Sequence, residues 1–231
     1  MNKQITIQDL SAGYQNKTVL NKINLTINKG DFLGIIGPNG GGKTTLLKVI
    51  LGLIKPMNGQ LKFFREGKQV DHLQIGYLPQ HNQVDRDFPI NVKELIQSGL
   101  TPKNRFLFTL SKEQKEIVPE IINMVGLNNF AESPLGELSG GQLQRALLGR
   151  AIISEPEILV LDEPNSYLDR DFEVKLYDLL QEINKKSTII LVSHNISTVR
   201  SIARSLACVN RTLHYHPTNN ITESCIYDSF L

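Results

Sequence analysis

The sequence predicts an α/β fold: a mainly parallel sheet flanked by helices, an antiparallel β subdomain, and an inserted α-helical subdomain. Three observations point there. The apolar run Phe32-Leu33-Gly34-Ile35-Ile36 leads through a glycine-rich loop into the helix-like stretch Thr45 to Ile50. A second apolar run, Ile158 to Leu161, ends in two acids, Asp162 and Glu163. Beyond Gln142, helical and strand-like stretches alternate, and that order implies parallel strands joined by crossovers on the sheet faces.

The elements read in order as follows. Ile5 to Leu10 is a strand candidate, and Val19 to Ile27 is a second, because Ile23, Leu25 and Ile27 alternate with polar residues. Asn28-Lys29-Gly30 turns the chain into the run at Phe32. The helix after the glycine-rich loop ends near Gly52, and Lys55-Pro56-Met57-Asn58-Gly59 is turn chemistry. Gln60 to Phe64 and a strand at Ile75-Gly76-Tyr77 bracket a polar hairpin. From Asp85 to Leu138 the helical period dominates. Ser111-Lys112-Glu113-Gln114 reads as a capping box, and Pro119 should kink that helix or shift its start. The core resumes near Gln142 with a long helix. The strand at Ile158, a helix over Phe172 to Ile183, the strand Thr188 to Val192 and a helix around Ile196 to Ala203 follow. The reading is one domain, 1–231, with an α/β core over 1–84 and 139–231 and a helical subdomain over 85–138.

Bulk properties exclude several functions. Lys+Arg 25 against Asp+Glu 23 leaves a net charge of +2, so there is no general electrostatic case for nucleic acid. Cys208 and Cys225 lack zinc or redox spacing and read as free thiols in a reducing compartment. The start, MNKQITIQDL, has no apolar signal region, and no stretch approaches the ~20 apolar residues that span a bilayer. A membrane role must come through a partner.

Gly37-Pro38-Asn39-Gly40-Gly41-Gly42-Lys43-Thr44 fits G-x-x-x-x-G-K-[ST], the phosphate-binding loop of a P-loop NTPase core. Glycines let the backbone wrap a phosphate with no Cβ in the way. Loop amides and the helix N-terminus present partial positive charge. Lys43 adds a full charge, and Thr44 and Thr45 open the helix, with the Thr44 hydroxyl set to ligate Mg²⁺.

Asp162 ends a buried strand, where a carboxylate can hold Mg²⁺ directly or through water. Glu163 points elsewhere and is the candidate to orient and deprotonate an attacking water. Leu138-Ser139-Gly140-Gly141-Gln142 opens a helix with a hydroxyl, open amides and a helix dipole, a second anion site. Two such sites are either unrelated or face each other across a two-fold dimer, each nucleotide held by both subunits.

On these residues the chain resembles the ATP-binding subunits of ABC transporters over nearly its whole length. Leu138 to Gln142 matches that family's LSGGQ signature. Gln80 matches the glutamine loop, which touches Mg²⁺ and faces the membrane partner. Asp169 matches the loop that crosses the dimer interface, His194 the switch histidine on the γ-phosphate, and Tyr14 the aromatic that stacks on adenine. Tyr167 departs from the family's small residue there, so the interface beside Asp169 differs from the usual one.

The resemblance implies ATP and Mg²⁺ as cofactors, a homodimer that sandwiches ATP, integral membrane permease subunits and a peripheral place on the cytoplasmic face of the membrane. The segment 85–138 adjoins Gln80 and would be the docking surface. Gly41-Gly42, Asp87 to Val92 and Val209 to His216 are similar to the zinc, manganese and iron uptake group, which implies import with an extracytoplasmic metal-binding protein acting indirectly. Two other readings stand beside this one. The chain could be an importer subunit for another small solute, or a soluble ATPase of this family without a transport role. The second lacks support from any coiled-coil insertion or basic patch. His214 and His216 alternate in a strand and could share a face, with Cys225 nearby. No further ligand is fixed by spacing, so two ordinary histidines is the preferred reading.

Overall fold

A short run of four or five mostly apolar residues forms a strand rather than a turn of helix when both sheet faces are covered. Three segments obey this: β3 (Phe32–Ile36), β7 (Ile158–Asp162) and β8 (Thr188–Val192) are buried at every position. With β6 (Ile75–Leu78) and β9 (Ser205–Asn210) they form a parallel array, and β10 (Thr212–Pro217) closes the edge antiparallel to β9. The order across this six-stranded sheet is β10-β9-β3-β8-β7-β6. The computed structural model describes residues 2–15, 17–80, 85–100, 111–165, 168 and 170–217.

Alternate residues serve two cores. Leu33, Ile35, Ile158, Val160, Ile190 and Val192 join one cluster with α1 (Lys43–Ile50) and a second sheet. That sheet, ordered β2-β1-β4-β5, is antiparallel throughout and contains β1 (Lys3–Tyr14), β2 (Lys17–Asn28), β4 (Asn58–Arg65) and β5 (Lys68–Val70). Phe32, Ile36, Leu159, Leu161, Ile189 and Leu191 join the other cluster with α4 (Gly140–Ile152), α5 (Arg170–Asn184) and α6 (Ile196–Ile202). The fold is the α/β class expected, with an antiparallel sheet on one side. The polar hairpin is β4–β5, turned at Glu66-Gly67, whereas β6 belongs to the parallel array.

Between β6 and α4 the described residues form α2 (Val92–Gln97), α3 (Lys112–Met124) and two short 3₁₀ turns, with one isolated bridge from Asn91 to Pro134. Ser111 caps α3: its hydroxyl accepts from the Gln114 amide, and the Gln114 side chain accepts from the Ser111 amide. The helix then runs through Pro119 without a shifted start. Lys115 and Pro119 are both exposed, so water can take the Lys115 carbonyl that the missing N–H leaves open. Strand β9 escapes the sequence reading because it follows α6 closely and its place is set by pairing with β3 and β10.

Helix α4 lies close on β6. A Cβ at Gly76 would meet the Ala151 carbonyl oxygen at 2.1 Å, and a backbone atom cannot step aside as a side chain can. Gly76→Ala is expected to cost ~1–3 kcal/mol through forced separation of α4 from β6. Chemical denaturation measures it, and an unchanged midpoint would contradict the close packing.

Candidate functional site

The carboxyl ends of β3, β6, β7 and β8 open on the same edge of the sheet, where α/β folds place ligands. A cleft of ≈ 340 Å³ lies there, lined by Val19, Asn39, Gly40, Gly42, Lys43, Thr44, Thr45, Gln80, Asp162 and Glu163. A larger cleft of ≈ 610 Å³ opens beside α3, α4 and α5, with largely apolar walls, and no phosphate-loop residue lines it. The charged cleft is therefore the candidate site.

The loop is held from behind. A Cβ at Gly37 would meet the Val209 carbonyl oxygen at 2.1 Å, and one at Gly41 would meet it at 2.7 Å. The Arg211 amide donates to the Gly41 carbonyl at 2.8 Å, and the Gly41 amide donates to Pro38 at 3.0 Å. Gly42 sits at φ 105°, and no side chain caps α1. The first turn of α1 carries no acid either, so its positive end faces the cleft uncancelled.

Lys43 is 7% exposed and folds across the loop, its Nζ donating to the Gly37 and Pro38 carbonyls at 2.9 and 3.1 Å. Burial holds its ammonium below the ordinary lysine range, partly offset by Glu163 and Asp162. Thr44 Oγ1 donates to Asp162 Oδ2 at 3.5 Å. Asp162 is 2% exposed, and burial, then Glu163, raise its pKa to about 6 against the pull of Lys43. Tyr77, beside it, is pushed to about 12 by burial and then by Asp162.

Glu163 stands at the centre of the polar groups. Gln80 Nε2 is 3.5 Å from Glu163 Oε2, and His194 Nδ1 is 3.4 Å from Oε1. His194 is largely exposed, and Glu163 is not. The Glu163 backbone adopts φ 52°, left-handed and costing ~1–2 kcal/mol for a non-glycine residue. Its amide donates to Val192 at 2.9 Å, which fixes that turn to β8.

Tyr14 lies at the end of β1, 45% exposed, with the Lys48 ammonium of α1 5.8 Å from its ring centre. Ser139 caps α4: its hydroxyl accepts from Gln142, and Gln142 Oε1 accepts from the Ser139 amide. Ser139, Gly140, Gly141 and Gln142 do not line the cleft. Asp169, Ser166, Tyr167 and Cys225 lie outside the described residues. His214 and His216 pair with Cys208 and Leu206 across β9–β10, and the described residues contain no group of three metal-ligating side chains. Among the described residues, no helix is long and apolar enough to cross a membrane.

Sequence reasoning missed two residues. Val19 lines the cleft from β2, where the sequence marks only a strand start. Gln144, 1% exposed in α4, contacts the Pro164 carbonyl; a polar residue next to Leu143 on an otherwise apolar face was the available signal.

A glycine loop at a bare helix start, a lysine across it and two acids at a buried strand end define a P-loop nucleotide triphosphatase. Comparison with known proteins narrows the class. Residues 20–166 match the family model described as ABC transporter. A zinc uptake system ATP-binding protein, ZurA, of Listeria innocua is 37% identical, covering 92% of this chain and 85% of its own. A probable metal transport system ATP-binding protein of Thermotoga maritima is 39% identical, covering 95% and 87%. A putative metal-chelate type ABC transporter solved in an inward-facing conformation superposes with a TM-score of 0.84 at 27% identity, covering 100% of this chain and 89% of that one. The chain belongs to the ABC transporter family, and its enzyme class is that of an ATP hydrolase.

The buried Asp162 carries a pH signature. Folding raises its pKa from 3.8 to about 6, so the native state binds the proton more tightly. Stability from this group therefore falls as pH rises from about 4 to about 6, and the full cost, up to ~3 kcal/mol, persists above that range. Asp162→Asn in nucleotide- and magnesium-free protein is expected to raise stability at pH 8 and to lose that gain by pH 4. Denaturant titrations across this range check it; a gain independent of pH would contradict the burial argument.

Proposed function

We propose that this chain is the ATP-hydrolysing subunit of an importer for a metal ion (zinc, manganese or iron), acting through separate membrane subunits. The observation that carries this is joint. The chain has a complete phosphate loop with both acids intact, and relatives named for zinc uptake and metal transport match over nine-tenths of it.

ATP enters with its phosphates in the loop and its adenine against Tyr14. Lys43 and the loop amides hold the β- and γ-phosphates. Thr44, Asp162 and Gln80 offer hard oxygen donors that suit Mg²⁺, and the bound ion would neutralise phosphate charge. Glu163 orients the attacking water and takes its proton, and His194 holds the γ-phosphate. The 3.4–3.5 Å separations of Gln80 and His194 from Glu163 support these roles. Catalysis rests on positioning and electrostatics.

The Ser139–Gln142 turn lies off the cleft of its own chain, which supports a dimer in which each nucleotide also meets the partner subunit's α4 start. Asp169 would cross that interface. Loss of the γ-phosphate reopens the dimer, a two-state device that permease subunits can use. Residues 85–138 form the helical subdomain that docks them, with 1–84 and 139–231 as the ATP-binding core. The chain sits peripherally on the cytoplasmic face of the membrane, and an extracytoplasmic metal-binding protein feeds the permease.

Lys43→Ala is expected to weaken ATP binding at least tenfold in a titration with a fluorescent ATP analogue; unchanged affinity would remove the phosphate-loop assignment. Glu163→Gln should bind ATP normally and lose turnover by ~100-fold or more. In cells lacking the chain, one of the three metals should fall and be restored by wild type alone. Unchanged levels of all three would leave an ATPase with another cargo.

A further inference from the structure

A buried glutamine that leaves one of its own atoms unpaired is an odd choice for packing alone. Gln144 is 1% exposed, and its Nε2 donates to the Pro164 carbonyl at 3.4 Å. Its Oε1 is buried with no partner among the described residues. A leucine or methionine would fill the space without stranding an acceptor. The polar side chain makes sense through what it holds.

Pro164 directly follows Glu163. Proline has no N–H, so its carbonyl is the only backbone group by which it can be anchored. On the other side, the Glu163 amide is tied to Val192 at 2.9 Å. The left-handed turn at Glu163, φ 52°, is thus pinned before and after by two different elements, β8 and α4. That turn decides where the carboxylate points, and it points between Gln80 and His194.

The next residue of α4 grips the same segment further on. The Arg145 guanidinium carbon lies 5.1 Å from the centre of the Phe172 ring on α5. Helix α4 opens at Ser139, whose carbonyl accepts from Leu143 at 3.0 Å, one residue before Gln144. A single helix therefore links the Ser-Gly-Gly start to the Glu163 turn.

We infer that Gln144 is a positioning residue for Glu163, its side-chain amide on α4 holding the Pro164 carbonyl and so aiming the carboxylate into the cleft. The inference rests on the reading of Glu163 as the group that orients water. It gives α4 a second role, because a shift of its N-terminus reaches Glu163 through one hydrogen bond.

The test is steady-state ATP hydrolysis by the purified chain, with thermal melting in parallel. Gln144→Met keeps the volume and removes the donor. The expected result is a kcat lowered about 10- to 100-fold, an unchanged KM for ATP and a melting temperature no lower than wild type. Gln144→Glu supplies an independent readout. Its buried carboxyl holds its proton above the usual carboxylate range and can donate to Pro164 only while protonated. Relative to wild type, its turnover should therefore be higher at pH 6 than at pH 9. Wild-type kcat in Gln144→Met, or a pH profile for Gln144→Glu parallel to wild type, overturns the inference. Glu163→Gln measured alongside separates the two claims. If that variant hydrolyses ATP normally, the reading of Glu163 fails; if it is inactive and Gln144→Met is normal, only the role of Gln144 fails.

Discussion

Lys43 shares the mouth of the cleft with two carboxylates, Asp162 and Glu163, and the rest of the site is arranged around that crowding. Asp162 lies at the end of a strand buried on both faces, so burial and then Glu163 raise its pKa to about 6. Lys43 is itself depressed by burial and spends its donors on the loop carbonyls. A bound triphosphate with its counterion would change every one of these interactions at once. The protein's own charges leave the cleft electrostatically unbalanced, which suits the proposed binding of a charged ligand.

The same crowding explains the backbone. Glu163 follows Asp162 with no spacer, and two adjacent carboxylates on a regular strand would project to opposite faces. The left-handed turn at Glu163 brings the second acid round to the same opening, between Gln80 and His194. The cost of that turn is small beside the stability of a domain this size, and the tie to Val192 and the contact from Gln144 hold it.

Much of this was legible in the sequence because the signals are local. Gly37 to Thr44 announces a loop by spacing alone, and the runs at Phe32, Ile158 and Thr188 announce buried strands by being apolar throughout. The capping box at Ser111 marked the start of α3 to the residue. Pro119 did not shift the start of α3, since an exposed proline inside a helix can surrender its hydrogen bond to water. Strand β9 and Val19 were hidden because their roles are set by pairing across the sheet. Gln144 was hidden because nothing in the residues beside it says which carbonyl it reaches. The separation of the Ser139 turn from the cleft is also tertiary information, and it is what makes one chain only half of the proposed machine.

Whether a cleft needs the partner subunit to be complete can be read from sedimentation of the Glu163→Gln chain. Without nucleotide the species should have the mass of one chain, 25.9 kDa. With ATP and Mg²⁺ it should double, and adding Ser139→Arg should return it to the single mass. A chain that binds ATP tightly and still sediments at the single mass would contradict the account, because each cleft would then be complete without a partner.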